Sequence, residues 1–164
     1  MGVNTEMTSE KEEGAALGKD HGPAHVVLMV DDDEEDIYLT RRAFEGGGRQ
    51  VDFRQVRDGA ALFAYLANKG EYADAVANPR PRLILMDINM PAENGLELLR
   101  RLRGDPRYAL LPVIMMSTSL SEQDVDEAYR LGANSFVAKA ASAHGTKELA
   151  RRIEAFWFDT VIVP

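Results

Sequence analysis

Val26-Val27-Leu28-Met29-Val30-Asp31-Asp32-Asp33 and Leu83-Ile84-Leu85-Met86-Asp87 are the two stretches that decide the fold. Each is a short, unbroken apolar run that ends on carboxylates. Continuous runs of this length suit strands buried on both faces, as in a parallel sheet. In such sheets ligands bind where the carboxyl ends of the strands emerge. Two strands that both deliver acids there build one crowded pocket. Like charges at that separation are costly without a cation, and oxygen donors suit a hard divalent ion.

Two further runs end in the same way. Val113-Ile114-Met115-Met116 stops on Ser117-Thr118, and Phe136-Val137-Ala138 stops on Lys139. Asp87 opens Asp87-Ile88-Asn89-Met90-Pro91, and Asn94-Gly95 follows shortly. In this order and spacing the chain resembles the receiver domain of two-component response regulators. The resemblance covers residues 25–155. Residues 1–24 are then expected to be a flexible tail and 156–164 an apolar C-terminal extension.

Elements read from the residues fit that resemblance. Ile37, Thr40 and Phe44 have helical spacing, and Gly46-Gly47-Gly48 ends their helix. A second strand covers Val51 to Val56, and Asp58-Gly59 turns into a helix carrying Leu62, Phe63 and Leu66. Asn68 to Arg82 reads as a loop. Asn94 with Glu97, and Ser121 with Asp124, are helix-start patterns. The first of these helices buries Leu96, Leu99 and Leu102 and stops at Asp105-Pro106; the second ends before Gly132. Leu149, Ile153, Phe156 and Trp157 form an apolar stripe on the last helix. Five strands alternating with five helices make an α/β fold: a doubly wound five-stranded parallel sheet with helices on both faces. The resemblance implies the flavodoxin-like strand order 2-1-3-4-5.

Composition narrows the function. With 164 residues, 45% of them hydrophobic, the chain forms one core. A net charge of -8 argues against a broad nucleic-acid-binding face. There is no cysteine, hence no disulfide framework or thiolate metal site. No apolar stretch approaches the roughly 18 residues of a membrane span. The acidic start lacks a signal peptide's order of basic then apolar residues. A cytoplasmic protein is expected. The tail Met1 to Ala24 is too polar to offset its ordering entropy.

The resemblance also implies roles. Asp87 matches the phospho-acceptor, whose phosphoryl comes from a phosphohistidine of a sensor histidine kinase. Asp31 and Asp32 match the acidic pair that, with Asp87 and the backbone carbonyl of Asn89, coordinates Mg²⁺. Ser117 and Lys139 match the hydroxyl and ammonium that meet the phosphoryl group, and Phe136 matches the aromatic switch position. The same residues have plainer readings. Asp87 could be a turn acid, Ser117 a strand-end residue, Lys139 a surface lysine and Phe136 a core aromatic. Asp33, Glu34 and Glu35 read as helix N-terminal acids facing the dipole.

Three departures stand out. Ala140 replaces the family's proline after the lysine. A cis bond before a non-proline costs about 3–4 kcal/mol, so a trans Lys139-Ala140 bond in a rearranged loop is expected. Thr118 is bulkier than the small residue common there. The ending Phe156-Trp157-Phe158-Asp159-Thr160-Val161-Ile162-Val163-Pro164 resembles single-domain regulators paired with bacterial phytochrome kinases. Expectations follow: no fused output module, signalling by contact with a separate downstream protein, and a homodimer built on Phe156, Trp157 and Phe158. The protein is expected not to be a turnover enzyme. Two alternatives stay open: a haloacid-dehalogenase-type Mg-dependent phosphatase with Asp31 as nucleophile, and a receiver-like binding module that is never phosphorylated.

Overall fold

The computed structural model describes residues 24–164; the expected N-terminal tail lies almost wholly outside the described residues. The strands are β1 (His25–Val30), β2 (Val51–Val56), β3 (Leu83–Asp87), β4 (Val113–Ser117) and β5 (Ser135–Ala138). The helices are α1 (Glu34–Glu45), α2 (Gly59–Leu66), α3 (Gly95–Gly104), α4 (Glu122–Arg130) and α5 (Ala143–Glu154). A 3₁₀ turn, Gly70–Tyr72, interrupts the long loop before β3. All strand pairs are parallel, in the order β2-β1-β3-β4-β5. Each change of direction in strand order leaves a crevice above the carboxyl ends, and β1 and β3 flank it.

Side-chain alternation explains the two-sided core. Leu28, Val30, Ile84, Met86 and Met115 face α2, α3 and α4. Val27, Met29, Leu85, Ile114 and Met116 face α1 and α5. Both faces of β1, β3 and β4 are therefore covered, which is why their runs are apolar without alternation. On α3 the buried residues are Gly95, Leu98, Leu99 and Leu102; Leu96, expected in the core, is only half-buried. On α2 Tyr65 is buried with Leu62, while Phe63 and Leu66 are partly covered.

Short polar side chains start the helices, at Asn94 and Ser121 as their spacing predicts. Asp33 accepts from Glu35 and Asp36, Asp58 from Ala61, Asn94 from Leu96, Ser121 from Asp124 and Ser142 from Gly145. Each satisfies backbone N–H groups that the first helical turn leaves unpaired. The last helix differs from expectation. The α-helix stops at Glu154, and Ala155–Thr160 form a π-helical turn. Val161 N–H donates to Phe156 O, five residues back. That wider turn breaks the apolar stripe after Ile153, because 3.6-residue spacing no longer holds. Trp157 and Phe158 fold onto the α1–α5 side of the core, and Phe158 stacks on His25 at 4.3 Å. Phe156 is left 52% exposed. No helix among the described residues is long and apolar enough to cross a membrane.

Candidate functional site

The carboxyl ends of β1, β3, β4 and β5 converge on one open cleft of about 470 Å³, lined by acids on one side and by Asn89, Thr118 and Lys139 on the other. Strand pairing sets the convergence. Ile88 N–H donates to Met116 O at 3.1 Å and Lys139 N–H to Ser117 O at 2.8 Å, so the residues after β3 and β5 stay stitched to β4. At the turn after β1, Asp33 N–H donates to Asp31 Oδ1 at 2.9 Å, turning the Asp31 carboxylate inward. Asp31 is fully buried, Asp87 nearly so, and Asp32 is exposed to the cleft.

Asp31, Asp32 and Asp87 each offer a carboxylate oxygen, and these lie within 4.8 Å of one another. The donor set is all oxygen, which suits a hard divalent cation and not a soft one. Asn89, the expected carbonyl donor, lines the same cleft. The residues present therefore fit the metal that their chemistry implies.

Lys139 reaches into these acids. Its Nζ donates to Asp31 Oδ2 and to Asp36 Oδ2, each at 2.7 Å, and lies 3.0 Å from Asp87 Oδ1. Only 10% of its side chain is exposed. Burial alone would push the ammonium's pKa down, but the three carboxylates outweigh it and hold the pKa above the ordinary lysine value. For Asp31, burial pushes the carboxyl up; Lys139 and the Asp33 N–H pull it down, and Asp87 adds to the upward push. One ammonium among crowded carboxylates leaves negative charge over, and that surplus is what a cation relieves.

Ser117 is buried, and its hydroxyl accepts from Asn89 Nδ2 and from Ser119 N–H, both at 3.1 Å. Thr118 is exposed at the mouth. The structure thus brings together Asp31, Asp32, Asp87, Asn89, Ser117 and Lys139. It keeps Phe136 outside the cleft, half-buried against the α4-side core, with its backbone N–H on Tyr129 Oη. Phe156, Trp157 and Phe158 sit beyond α5, away from the cleft, where Phe158 meets His25 at the amino end of β1. Peptide bonds are all trans among the described residues, Lys139-Ala140 included.

Two contacts escaped the reading from sequence. Asn89 uses its side chain on Ser117, and Asp36 holds Lys139. For Asp36 a signal existed: it stands four residues before buried Thr40, on the pocket end of the helix face that Ile37 and Phe44 mark as inward.

The response regulator receiver domain model matches residues 27–154. Rcp1, a response regulator of Synechocystis sp., is 32% identical over 148 residues, which covers 90% of this chain and 99% of Rcp1. The crystal structure of the phosphorylated cyanobacterial phytochrome response regulator RcpA is similar to this one, with a TM-score of 0.79 and 34% identity over 87% of this chain and 99% of RcpA. The Mn(2+)-bound form of Rcp1 has a TM-score of 0.75 and 33% identity over 85% of this chain and 99% of Rcp1. These matches do not favour the haloacid-dehalogenase alternative. Asp31, its would-be nucleophile, is fully buried and bound by Lys139. The chain belongs to the response regulator receiver domain family.

Proposed function

We propose that this protein is a cytoplasmic, single-domain response regulator that accepts a phosphoryl group on Asp87 from a sensor histidine kinase coupled to a phytochrome. The observation that carries the reading is the position of Lys139 Nζ, 3.0 Å from Asp87 Oδ1 and within reach of a triad of oxygen donors. The likeness to RcpA, a cyanobacterial phytochrome response regulator, supports the phytochrome pairing. Residues 25–155 act as the receiver and 156–164 as its C-terminal extension.

Asp87 attacks phosphorus through a carboxylate oxygen, so no general base is needed. An O–P bond forms to Asp87 while the P–N bond of the donor phosphohistidine breaks, and its electron pair leaves on the imidazole nitrogen. Asp31, Asp32, Asp87 and the Asn89 carbonyl would hold Mg²⁺, which when bound supplies charge stabilisation to the phosphoryl oxygens. Lys139 donates to a phosphoryl oxygen in place of Asp87 Oδ1. Ser117 turns its hydroxyl proton to another, exchanging the contact with Asn89. Positioning and charge do most of this work. The new charge draws the loop after β4 inward and repacks the face of α4, β5 and α5, with Phe136 moving as part of it. Of the expected homodimer residues Phe156, Trp157 and Phe158, the last two pack on the core, so the homodimer contact rests on exposed Phe156, extended by Ile162, and a separate downstream protein reads the altered surface.

The test is chemical. Incubation with acetyl phosphate and Mg²⁺ is expected to label the protein once, on Asp87, with acid-stable, base-labile phosphate. Asp87→Asn is expected to abolish the label. Labelling that survives this substitution overturns the reading.

A further inference from the structure

Four acidic residues open α1 beside the pocket, and they are not equivalent. Asp33 caps the helix. Glu34 pairs with Arg57 at 2.6 Å. Glu35 lines the cleft and has no ion pair among the described residues. Asp36 alone reaches Lys139.

An ammonium has three N–H donors. In Lys139 two of them go to Asp31 and Asp36, and Asp87 pairs with the same ammonium at 3.0 Å. Two of these acids belong to the triad of oxygen donors, and Asp36 does not. Its own position is rigid. Asp36 N–H donates to Asp33 Oδ1 at 3.1 Å, and the next residue, Ile37, is anchored in the core. The lysine is fixed from the other side by the bond from its backbone N–H to Ser117 O.

We propose that Asp36 is a positioning residue for phosphoryl transfer: it holds one donor of Lys139 outside the triad, so that Asp31 and Asp87 keep oxygens for a divalent cation. The inference rests on the receiver reading. With Asp36 neutral, the ammonium's charge falls on Asp31 and Asp87 alone, and it competes directly with the cation for them. The donor that turns to a phosphoryl oxygen is also held less firmly, because one of the two anchors loses its charge.

The test uses the unphosphorylated full chain and Mn²⁺ as probe, titrated calorimetrically. Asp36→Asn is compared with Glu35→Gln, which removes the same charge from the same wall of the cleft without touching Lys139. Asp36→Asn is expected to weaken Mn²⁺ binding roughly five- to tenfold more than Glu35→Gln. In a Lys139→Met background that excess is expected to vanish, because there is no ammonium left to release. A second measurement follows the Lys139 ammonium in a ¹H–¹⁵N spectrum, where the tripod is expected to give a slowly exchanging signal that Asp36→Asn broadens away. Equal weakening by the two neutralisations, or an excess that persists without Lys139, overturns the inference. These readouts need no phosphorylation. A wild-type chain that takes no label from acetyl phosphate would sink the receiver reading instead, and the two failures stay distinct.

Discussion

Gly95→Ala is expected to injure the site from behind. Gly95 opens α3 where the helix passes against the end of β3. A Cβ at Gly95 would lie 2.0 Å from the Asp87 carbonyl oxygen, 2.9 Å from its carbon and 3.0 Å from Ile88 Cα. Since Cβ contacts under 3.0 Å essentially never occur, the oxygen must move by at least the difference, 1.0 Å. Every clashing atom is backbone, so no side chain can swing away. The backbone is also pinned on both sides: Gly95 N–H donates to Ile88 O at 2.9 Å and Ile88 N–H to Met116 O at 3.1 Å. A misplacement of about 1 Å at a reacting group costs on the order of a hundredfold in rate. Overpacking of this kind costs about 1–3 kcal/mol. At roughly 2–4 °C per kcal/mol for a chain of this size, Tm falls by about 2–12 °C. Gly104→Ala is the matched control, because it makes the same change in the same helix with nothing within 4 Å of the new methyl group. The assay is the initial rate of labelling by acetyl phosphate, with Tm measured on the same samples. If Gly95→Ala labels at the wild-type rate and melts where Gly104→Ala does, the turn is soft and the close packing of α3 against Asp87 does not hold the carboxylate in place.

Two other outcomes follow from the far end of the molecule. Glu154 is 3% exposed, and its Oε1 is buried without a hydrogen-bond partner among the described residues. Burial pushes its pKa above 4.5, with Arg49 opposing and Asp159 adding. The folded state therefore binds this proton more tightly than the unfolded chain, so the associated stability is full below pH 4.5 and is lost as pH rises through the folded pKa. Glu154→Met is expected to raise stability at pH 7 by about 1–3 kcal/mol, with the gain fading in urea melts below pH 4.5; a gain that is the same at every pH counts against the buried charge. For the dimer contact, Phe156→Asp combined with Ile162→Asp, at residues 52% and 99% exposed, is expected to convert a dimer to a monomer in sedimentation at tens of micromolar without lowering Tm. A wild-type chain that sediments as a monomer rejects it.

The parts of this structure that could be read from sequence are those fixed by local chemistry. β1, β3 and β4 are buried at almost every position, and only unbroken apolar runs satisfy that demand, so the strands announced themselves. Two helix starts were legible because a short polar side chain must accept from the first unpaired N–H groups, and Asn94 and Ser121 do so. The acids at Asp31, Asp32 and Asp87 were legible because a strand end is a fixed place in a parallel sheet. What stayed hidden depends on rotation and on competition between distant partners.

The C-terminal turn shows why the hidden part is physical. Phe156, Trp157 and Phe158 are consecutive, and an α-helix would point them about 100° apart, so one face could not bury all three. The chain answers with a turn whose hydrogen bond spans five residues, Val161 N–H to Phe156 O. Two rings then face inward, where Phe158 finds His25 at the start of β1. Asp159 pairs with Arg49 across the same seam. Neither partner is a neighbour in sequence, and no spacing rule could have named them. Asp36 is a milder case at the active end, because its place four residues before buried Thr40 marked its helix face but not the lysine it meets. Six consecutive acids, Asp31 to Asp36, look alike as letters. Only the angle at which α1 leaves β1 decides that Asp36, and not Glu35, meets the lysine that β5 delivers. The sheet positions the chemistry, and the helix packed against α5 selects which spare charge tunes it.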